Sequence, residues 1–304
     1  MTILTEGKTK TIRTGDVAGE VILETKDELT GGDAAKRETI EGIAAHKTTQ
    51  TCNVFGLLEA NGIPTSFLRR NDATSFVCRG CEMLPLELVI RRYAWGSMLK
   101  REPDLVSTRE APYRFPDLLC ELYHKHSAVT PPLVDEPLQM DEGAAREHYL
   151  RDGVWAEGVY TDPLIRVEDG TWRLYSAKAP AATAQPLMET AAILSPDELE
   201  NVRTQIMRRT FETLEEAWAS IDTADGPVSL VDMKIEIGRT RDGDLVVADV
   251  IDNDSWRIWP GGDPTKQLDK QCFREDHPLS EVAGNYELVA ALTEQFQRAA
   301  SAAS

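Results

Sequence analysis

The stretch LVDMKIEIGRTRDGDLVVADVIDNDSWRIW, residues 230–259, decides how the rest of the chain is read. In its first half Val231, Met233, Ile235 and Ile237 fall on one side and Asp232, Lys234 and Glu236 on the other, the period-two pattern of a half-buried strand. A polar turn follows with Asp242-Gly243 near its middle, and Leu245-Val246-Val247-Ala248-Asp249-Val250-Ile251 then reads as a second, more deeply buried strand. The two are expected to form a hairpin. With a loop symmetric about Asp242-Gly243, Glu236 faces Asp249 and Lys234 faces Ile251, so the two carboxylate-bearing residues have Cβ atoms about 5 Å apart. Like charges this close call for a cation between them, and two carboxylates with room for water and phosphate oxygens suit Mg2+. A solvated face neutralised by Lys234 satisfies the same pattern, and a one-residue slip of register carries Asp249 to the opposite face.

The next eight positions, Asp252-Asn253-Asp254-Ser255-Trp256-Arg257-Ile258-Trp259, hold acids, an amide, an arginine and two tryptophans, more chemistry than a plain turn needs. Taken together, VDMKIEIG, ADVIDNDSWRIWP and DKQCFRE resemble the phosphoribosylaminoimidazole-succinocarboxamide synthase (SAICAR synthetase) family of purine biosynthesis, and the resemblance runs through most of the chain.

Composition sets independent bounds. A chain of 304 residues accommodates one large domain or two intimate lobes. With 51 acidic against 33 basic residues the formal net charge is −18, a field that repels nucleic acid and anionic membrane. Anionic ligands therefore require a locally positive pocket, which gives weight to each group of Lys and Arg. No apolar run approaches the length of a membrane span, and the N-terminal residues lack the basic start and apolar core of a signal peptide, so the expected compartment is cytoplasmic. Five scattered cysteines fit reduced thiols better than a disulfide framework. Cys78 and Cys81 have the spacing of half a zinc site, but no second pair matches it.

Gly7-Lys8-Thr9 lacks the upstream glycine of a P-loop, since that position is Thr2; on the residues alone the segment reads as a charged, frayed N-terminus, whereas the family resemblance implies a hairpin with a tight turn at Gly7, Lys8 and Lys10, followed by a strand at 21–25. Residues 31–37 read as a turn leading into a helix whose apolar positions run from Ile40 to Leu58 and which stops at Asn61-Gly62. Pro85 interrupts regular structure and suits a connector between lobes. Residues 91–101 form the densest basic stretch of this acidic chain; Arg91 has Glu87 as a local partner. From 102 to about 194 the sequence is rich in Pro and charge and reads as loops around short strands, with His124, His126 and His148 as surface residues. Ser195-Pro196-Asp197-Glu198 is a capping box opening a helix of about six turns, with Leu199, Val202, Ile206, Met207, Phe211, Leu214 and Trp218 on its apolar face. A further helix is expected over 280–298, and Lys270 and Arg274 share a face if their segment is helical.

The family resemblance implies more. It implies an α+β fold of two lobes, a small antiparallel N-terminal lobe over 1–84 and a larger mixed lobe over 85–304, with a nucleotide cleft of the ATP-grasp or kinase kind. It implies ligation of L-aspartate to 5-amino-1-(5-phosphoribosyl)imidazole-4-carboxylate (CAIR) at the expense of ATP, with Mg2+. Glu236 and Asp249 would hold the metal; Gly7, Lys8 and Lys10 would lie on the phosphates, and Glu82 and Met83 on the adenine edge. Lys234, Asp254 and Arg257 would be catalytic. The substrate anions fall to Asp33, Arg91, Gly96, Ser97, Asp254, Arg257, Lys270 and Arg274, where the family's R-x-x-x-x-G-S maps to Arg91, Gly96 and Ser97. A lysine common in the first helix of the family corresponds to Thr49, with Lys47 two residues away, and both stay outside the expected site. Small molecules are the implied partners, with no nucleic acid, no membrane, and room for a homo-oligomer.

Overall fold

A computed structural model of the chain describes residues 2–31, 36–125, 162–177 and 179–296; Asp33, His126 and His148 lie outside them. The fold is α+β, built on antiparallel sheets. Two compact units emerge, one of residues 1–83 with 202–304 and one of residues 84–201. The first break coincides with the expected connector, whereas the segment from 202 onward clusters with the N-terminal residues.

In the first unit, β1 (Ile3–Glu6), β2 (Lys10–Thr14) and β3 (Glu20–Thr25) follow one another antiparallel, as the sequence suggests. The Gly7 amide donates to the Lys10 carbonyl (2.9 Å), closing the tight turn that puts Lys8 and Lys10 beside it. Residues 31–37 do not lead straight into a helix: β4 (Glu28–Gly31) and β5 (Lys36–Thr39) make a hairpin first. Helix α1 (Ile43–Ala60) starts after Gly42 and is buried on almost every side, so Lys47, Thr48, Gln50, Thr51 and Asn53 are enclosed with the apolar residues. A helix enclosed in this way must satisfy its polar side chains inside the protein. β6 (Phe67–Arg70) and β7 (Ser75–Arg79) complete the five-stranded sheet, and a cluster of Phe55, Phe67 and Phe76 fixes α1 to it. β8 (Cys81–Met83) follows.

The second unit is a meander of β9 (Leu86–Tyr93), β10 (Arg114–His124), β11 (Leu164–Glu168), β12 (Thr171–Tyr175) and β13 (Pro186–Thr190), with short helices α2 (Met98–Arg101) and α3 (Pro196–Asn201). Among its described residues, the stretch read as loops around short strands contributes β11, β12 and β13, and Leu164, Trp172, Leu174 and Tyr175 on them are buried. At the start of α3 the expected capping box is formed, with the Ser195 amide on Glu198 Oε2 (2.8 Å) and the Glu198 amide on Ser195 Oγ (3.3 Å).

Back in the first unit, residues Val202–Arg208 wind as a π-helix before α4 (Arg209–Ala219), and the residues expected on the apolar face, Val202, Ile206, Met207, Phe211, Leu214 and Trp218, are all buried. β14 (Asp222–Thr223) precedes the long β15 (Gly226–Thr240), which carries β16 (Leu245–Ala248), β17 (Trp256–Pro260) and β8 as antiparallel partners. Gly238 is needed on β15, because a Cβ there would come within 2.5 Å of Cys81 Sγ on β8. Helices α5 (Gln271–Arg274) and α6 (Leu279–Thr293) close the unit, with Leu29, Ile40, Ile43, Phe273, Val282 and Tyr286 in one cluster.

Candidate functional site

The hairpin of β15 and β16 is present, but Glu236 pairs with Ala248, not Asp249. The reason lies in the loop. Thr240 and Asp244 close it by an amide-to-carbonyl bond of 2.9 Å, and Gly243 at φ +95 takes the left-handed position, so three residues form the turn where an Asp-Gly pair was expected to. β16 ends at Ala248, shorter than the apolar run, and Asp249 itself adopts φ +66. Lys234 accordingly does not face Ile251 across the hairpin; its amide donates to the Ser255 carbonyl (2.7 Å).

Charged groups nevertheless converge around this chain reversal. Lys10 Nζ, arriving from β2, is ion-paired to Asp249. Lys234 Nζ lies 3.0 Å from Glu236 Oε1, and the Glu236 side chain is only 5% exposed. Arg257 on β17 pairs with buried Asp232 on β15. An ammonium already resting on Asp249 shows that this carboxylate attracts positive charge, and the donors offered by Glu236 and Asp249 are all oxygen, the set that Mg2+ takes. These residues therefore fit a divalent cation.

The loop after Asp249 is gripped from helix α1. Thr51 Oγ1 donates to the Ile251 carbonyl (3.2 Å), and Gln50 Oε1 accepts the Asn253 amide (2.9 Å) while its Nε2 reaches the Tyr286 carbonyl (3.0 Å). Asp254 is the meeting point of Lys270 (2.9 Å), Lys47 (3.8 Å) and the Tyr286 hydroxyl. Burial alone would raise the Asp254 carboxyl, but Lys47, Lys270 and the Tyr286 hydrogen bond outweigh it and hold it low. Its neighbour Asp252 is pushed the other way, by burial first and then by the Asp254 charge. Two adjacent carboxyls driven in opposite directions are typical of a functional cluster.

Lys270 and Arg274 do not share an environment. Only four residues of their segment are helical; Lys270 is buried on Asp254, while Arg274 is exposed and reaches Gln271 Oε1 (3.4 Å). Lys8 is solvent-exposed in its turn, its ammonium pushed down by partial burial and by Arg37. Glu82 and Met83 lie on β8, paired through their backbone with Arg239 and Gly238. In the second unit Arg91 is buried on Glu121 (Nε to Oε2, 2.7 Å), the charge expected to fall to local Glu87 or a ligand. Gly96 takes φ +64, the left-handed conformation that suits glycine, and Ser97 immediately precedes α2.

Sequence reasoning missed Lys47, Gln50, Asp252, Asp269 and Tyr286. Asp269 is fully buried; its Oδ1 accepts the Gln271 amide (2.8 Å), and among the described residues its Oδ2 has no hydrogen-bond partner, nor has the buried Nε of Arg257. Burial pushes the Asp269 carboxyl up to about 6, against an ordinary 3.8, despite the opposing pull of Arg257. The folded state therefore holds this proton more tightly than the unfolded chain, so stability falls as pH rises from about 4 to about 6, by about 3 kcal/mol in all. Asp269→Asn is expected to abolish that slope, read by urea unfolding at pH 4.5, 5.5 and 6.5; a slope retained in the variant assigns it to another group. A separate grouping, Cys272, His277 and Glu281, brings potential metal ligands within 4.8 Å. Its atoms already bond one another or nearby groups, His277 Nδ1 to Glu281 (2.8 Å) and Cys272 Sγ to the Gln267 carbonyl (3.4 Å).

An α+β chain that concentrates lysines, arginines and buried carboxylates around one chain reversal is built as an enzyme of anionic substrates. Comparison with known proteins narrows this. The sequence profile of the SAICAR synthetase family matches residues 3–154 and 172–291. A phosphoribosylaminoimidazole-succinocarboxamide synthase of Chloroflexus aurantiacus is 37% identical over 297 residues, spanning 96% of this chain and 95% of its own. The crystal structure of a synthase of that name from Ehrlichia chaffeensis matches the fold with a TM-score of 0.69 at 22% identity, over 96% of this chain and 98% of the other. A SAICAR synthetase in complex with ADP matches with a TM-score of 0.67 at 26% identity, over 95% and 96%. The chain belongs to the SAICAR synthetase family.

Proposed function

We infer that this chain joins L-aspartate to CAIR with cleavage of ATP to ADP and phosphate, a carbon–nitrogen ligation of purine biosynthesis. The observation that carries this reading is the match of the family profile along nearly the whole chain, with a relative of that name 37% identical over 96% of it. Chemistry requires the ATP. An amine does not displace oxide from a carboxylate, so the CAIR carboxylate oxygen first takes the γ-phosphoryl group and ADP departs. The aspartate amine then attacks the acyl carbon, phosphate leaves, and the amine gives up a proton. Catalysis is mostly placement and neutralisation of charge.

Within the first unit, Gly7, Lys8 and Lys10 are assigned to the ATP phosphates, supported by the closed turn that carries both lysines. Glu82 and Met83 are assigned to the adenine edge; β8 pairs with β15 along one side only among the described strands, so its other side offers backbone groups to a ligand. Glu236 and Asp249 are assigned to Mg2+, which when bound supplies positive charge to the phosphates. Lys234, held 3.0 Å from Glu236, adds a second positive charge there. Asp254, Arg257 and Lys270 are assigned to the imidazole nucleotide and aspartate, with Arg274 at the exposed end of the same segment. In the second unit, Arg91, Gly96 and Ser97 keep the substrate-binding role that the R-x-x-x-x-G-S signature implies; Asp33 keeps its role by resemblance only. The working compartment is the cytoplasm, and no helix among the described residues is long and apolar enough to cross a membrane. A homo-oligomer is the assembly to test.

The reading is tested by ADP release with ATP, Mg2+ and CAIR, with and without L-aspartate, alongside absorbance of the amide product. Turnover is expected only with all substrates present. ADP release indifferent to aspartate, without a new amide, would make the chain a phosphotransferase on the same scaffold. Arg91→Lys is expected to raise the KM for the imidazole nucleotide about tenfold or more, since a point charge cannot reproduce the guanidinium fork. An unchanged KM places the nucleotide elsewhere.

A further inference from the structure

Lys47 is the unexplained charge of the first unit. Its side chain is 2% exposed, on a helix that also buries Thr48, Gln50, Thr51 and Asn53, and a methionine or leucine at 47 would pack without the penalty of burying an ammonium. The ammonium is not idle. It donates to the Glu28 carbonyl (3.1 Å), lies 5.7 Å from the centre of the Tyr286 ring, and stands 3.8 Å from Asp254 Oδ2. Three elements thus meet on one carboxylate: Lys47 from α1, Lys270 from just before α5, and the Tyr286 hydroxyl from α6. The backbone beneath is held by the same helix, through Gln50 on the Asn253 amide and Thr51 on the Ile251 carbonyl.

Nor does Lys47 stand in for a lysine at position 49. Two residues along a helix turn a side chain by about 200°. Thr49 correspondingly points elsewhere, its hydroxyl accepting from Arg70 Nη2 (3.1 Å) on β6. Lys47 therefore serves a different place from the one Thr49 occupies.

We propose that Lys47 is a positioning residue for the ligation, acting from α1 to fix the Asp254 carboxylate, with Lys270 and Tyr286, in the orientation that meets the imidazole nucleotide. This rests on the assignment of Asp254 to that nucleotide. Lys47 touches no substrate itself. The charged and titratable groups around Asp254 are Lys47, Lys270 and Tyr286 from the packed elements and Asp252 from its own loop, with Asp269 also bearing on Tyr286. Removing one of the two ammonium groups leaves Asp254 easier to protonate and freer to turn.

The test uses Lys47→Met, Lys47→Arg and Asp254→Asn, with the Lys47→Met/Asp254→Asn double variant, assayed for steady-state ligation across pH with each substrate varied and for urea unfolding. Lys47→Met is expected to raise the KM for the imidazole nucleotide about tenfold while the KM for ATP stays within about twofold. The acid limb of its kcat/KM profile is expected to move up by about one pH unit, because a cation near a carboxylate depresses its titration by that order. Lys47→Arg keeps the charge and should keep the acid limb. In the double variant the two losses should not add, since both remove one interaction. A folded Lys47→Met enzyme with unchanged KM and acid limb overturns the proposal, as do fully additive losses. Should Lys47→Met fail to fold, recovery of folding in the double variant supports the pairing, and no recovery overturns it by tying Lys47 to packing alone. Wild-type protein that forms no amide would instead overturn the assigned reaction, a result separable from any of these.

Discussion

Glu236→Gln and Asp249→Asn should each lower turnover by about 10²–10³-fold, the loss seen when one preorganised charge-stabilising group is removed from an active site. Both substitutions keep shape and remove charge. Glu236 is buried at the 5% level with Lys234 as a partner that is itself 35% exposed, so the lysine left behind is stabilised by water and the fold loses little. Asp249 sits at φ +66, a conformation that asparagine tolerates at least as well as aspartate, so the backbone is not strained by the change. Alanine at 249 would confuse the result by adding backbone cost. The measurement is kcat at saturating and at limiting Mg2+, with urea unfolding as the control. Either variant keeping a near-normal rate at limiting Mg2+ would refute the metal assignment, whereas a rate recovered by excess Mg2+ would support it.

The second large effect is on stability. Glu121 on β10 is 9% exposed and holds two buried arginines at once, Arg91 through Nε (2.7 Å) and Arg101 through its other oxygen, with the Tyr123 hydroxyl donating to it as well (3.2 Å). Glu121→Ala leaves both guanidinium groups without their shared counter-ion in the interior of the second unit. The expected cost is about 3–5 kcal/mol, the range found when one partner of a buried ion pair is deleted. Glu121→Gln, which keeps acceptors but not charge, should fall between this and wild type. Amide hydrogen exchange along β9 and β10 reads the loss locally, where a whole-chain melt of two units would blur it. Exchange protection within about 1 kcal/mol of wild type in Glu121→Ala would mean that water reaches the arginines and the triad is not a buried network. The same network bears on Arg91→Lys: lysine can keep one bond to Glu121 but not the fork, so a KM effect should be read together with this stability baseline.

Local pattern was informative wherever a segment's surroundings follow from its own periodicity. The alternation in 230–237 is β15, and the Ser195 to Glu198 box forms with both reciprocal bonds. The turn at Gly7 and the strands on either side of it came from the family resemblance, since the residues by themselves fit a charged, frayed N-terminus equally well. The pairing of Glu236 failed by one residue because an Asp-Gly pair serves both two- and three-residue turns, and only the closed loop selects between them. Short strands were expected between 102 and 194, but composition does not say which of them find partners; β11 and β12 are strands because they pair with each other and β10.

The class of fold, the family and the charged residues nearest the hairpin are readable from the chain alone, because they are carried by contiguous motifs and by periods of two or 3.6 residues. The surroundings of Asp254 follow only from packing. Lys47 and Tyr286 lie far apart in the chain on helices whose own pattern reads as scaffold, and Lys270, expected at the site from its motif, meets them only on Asp254. Helix α1 buries polar and apolar residues alike on nearly every side, so no periodicity marks the face on which Lys47 lies; the ammonium gained its meaning when α1, the loop after Asp249 and α6 packed together and set it beside one carboxylate. Burial did the rest, since in a low-dielectric interior the same residues that are neutral choices on a surface become charges that must be paired.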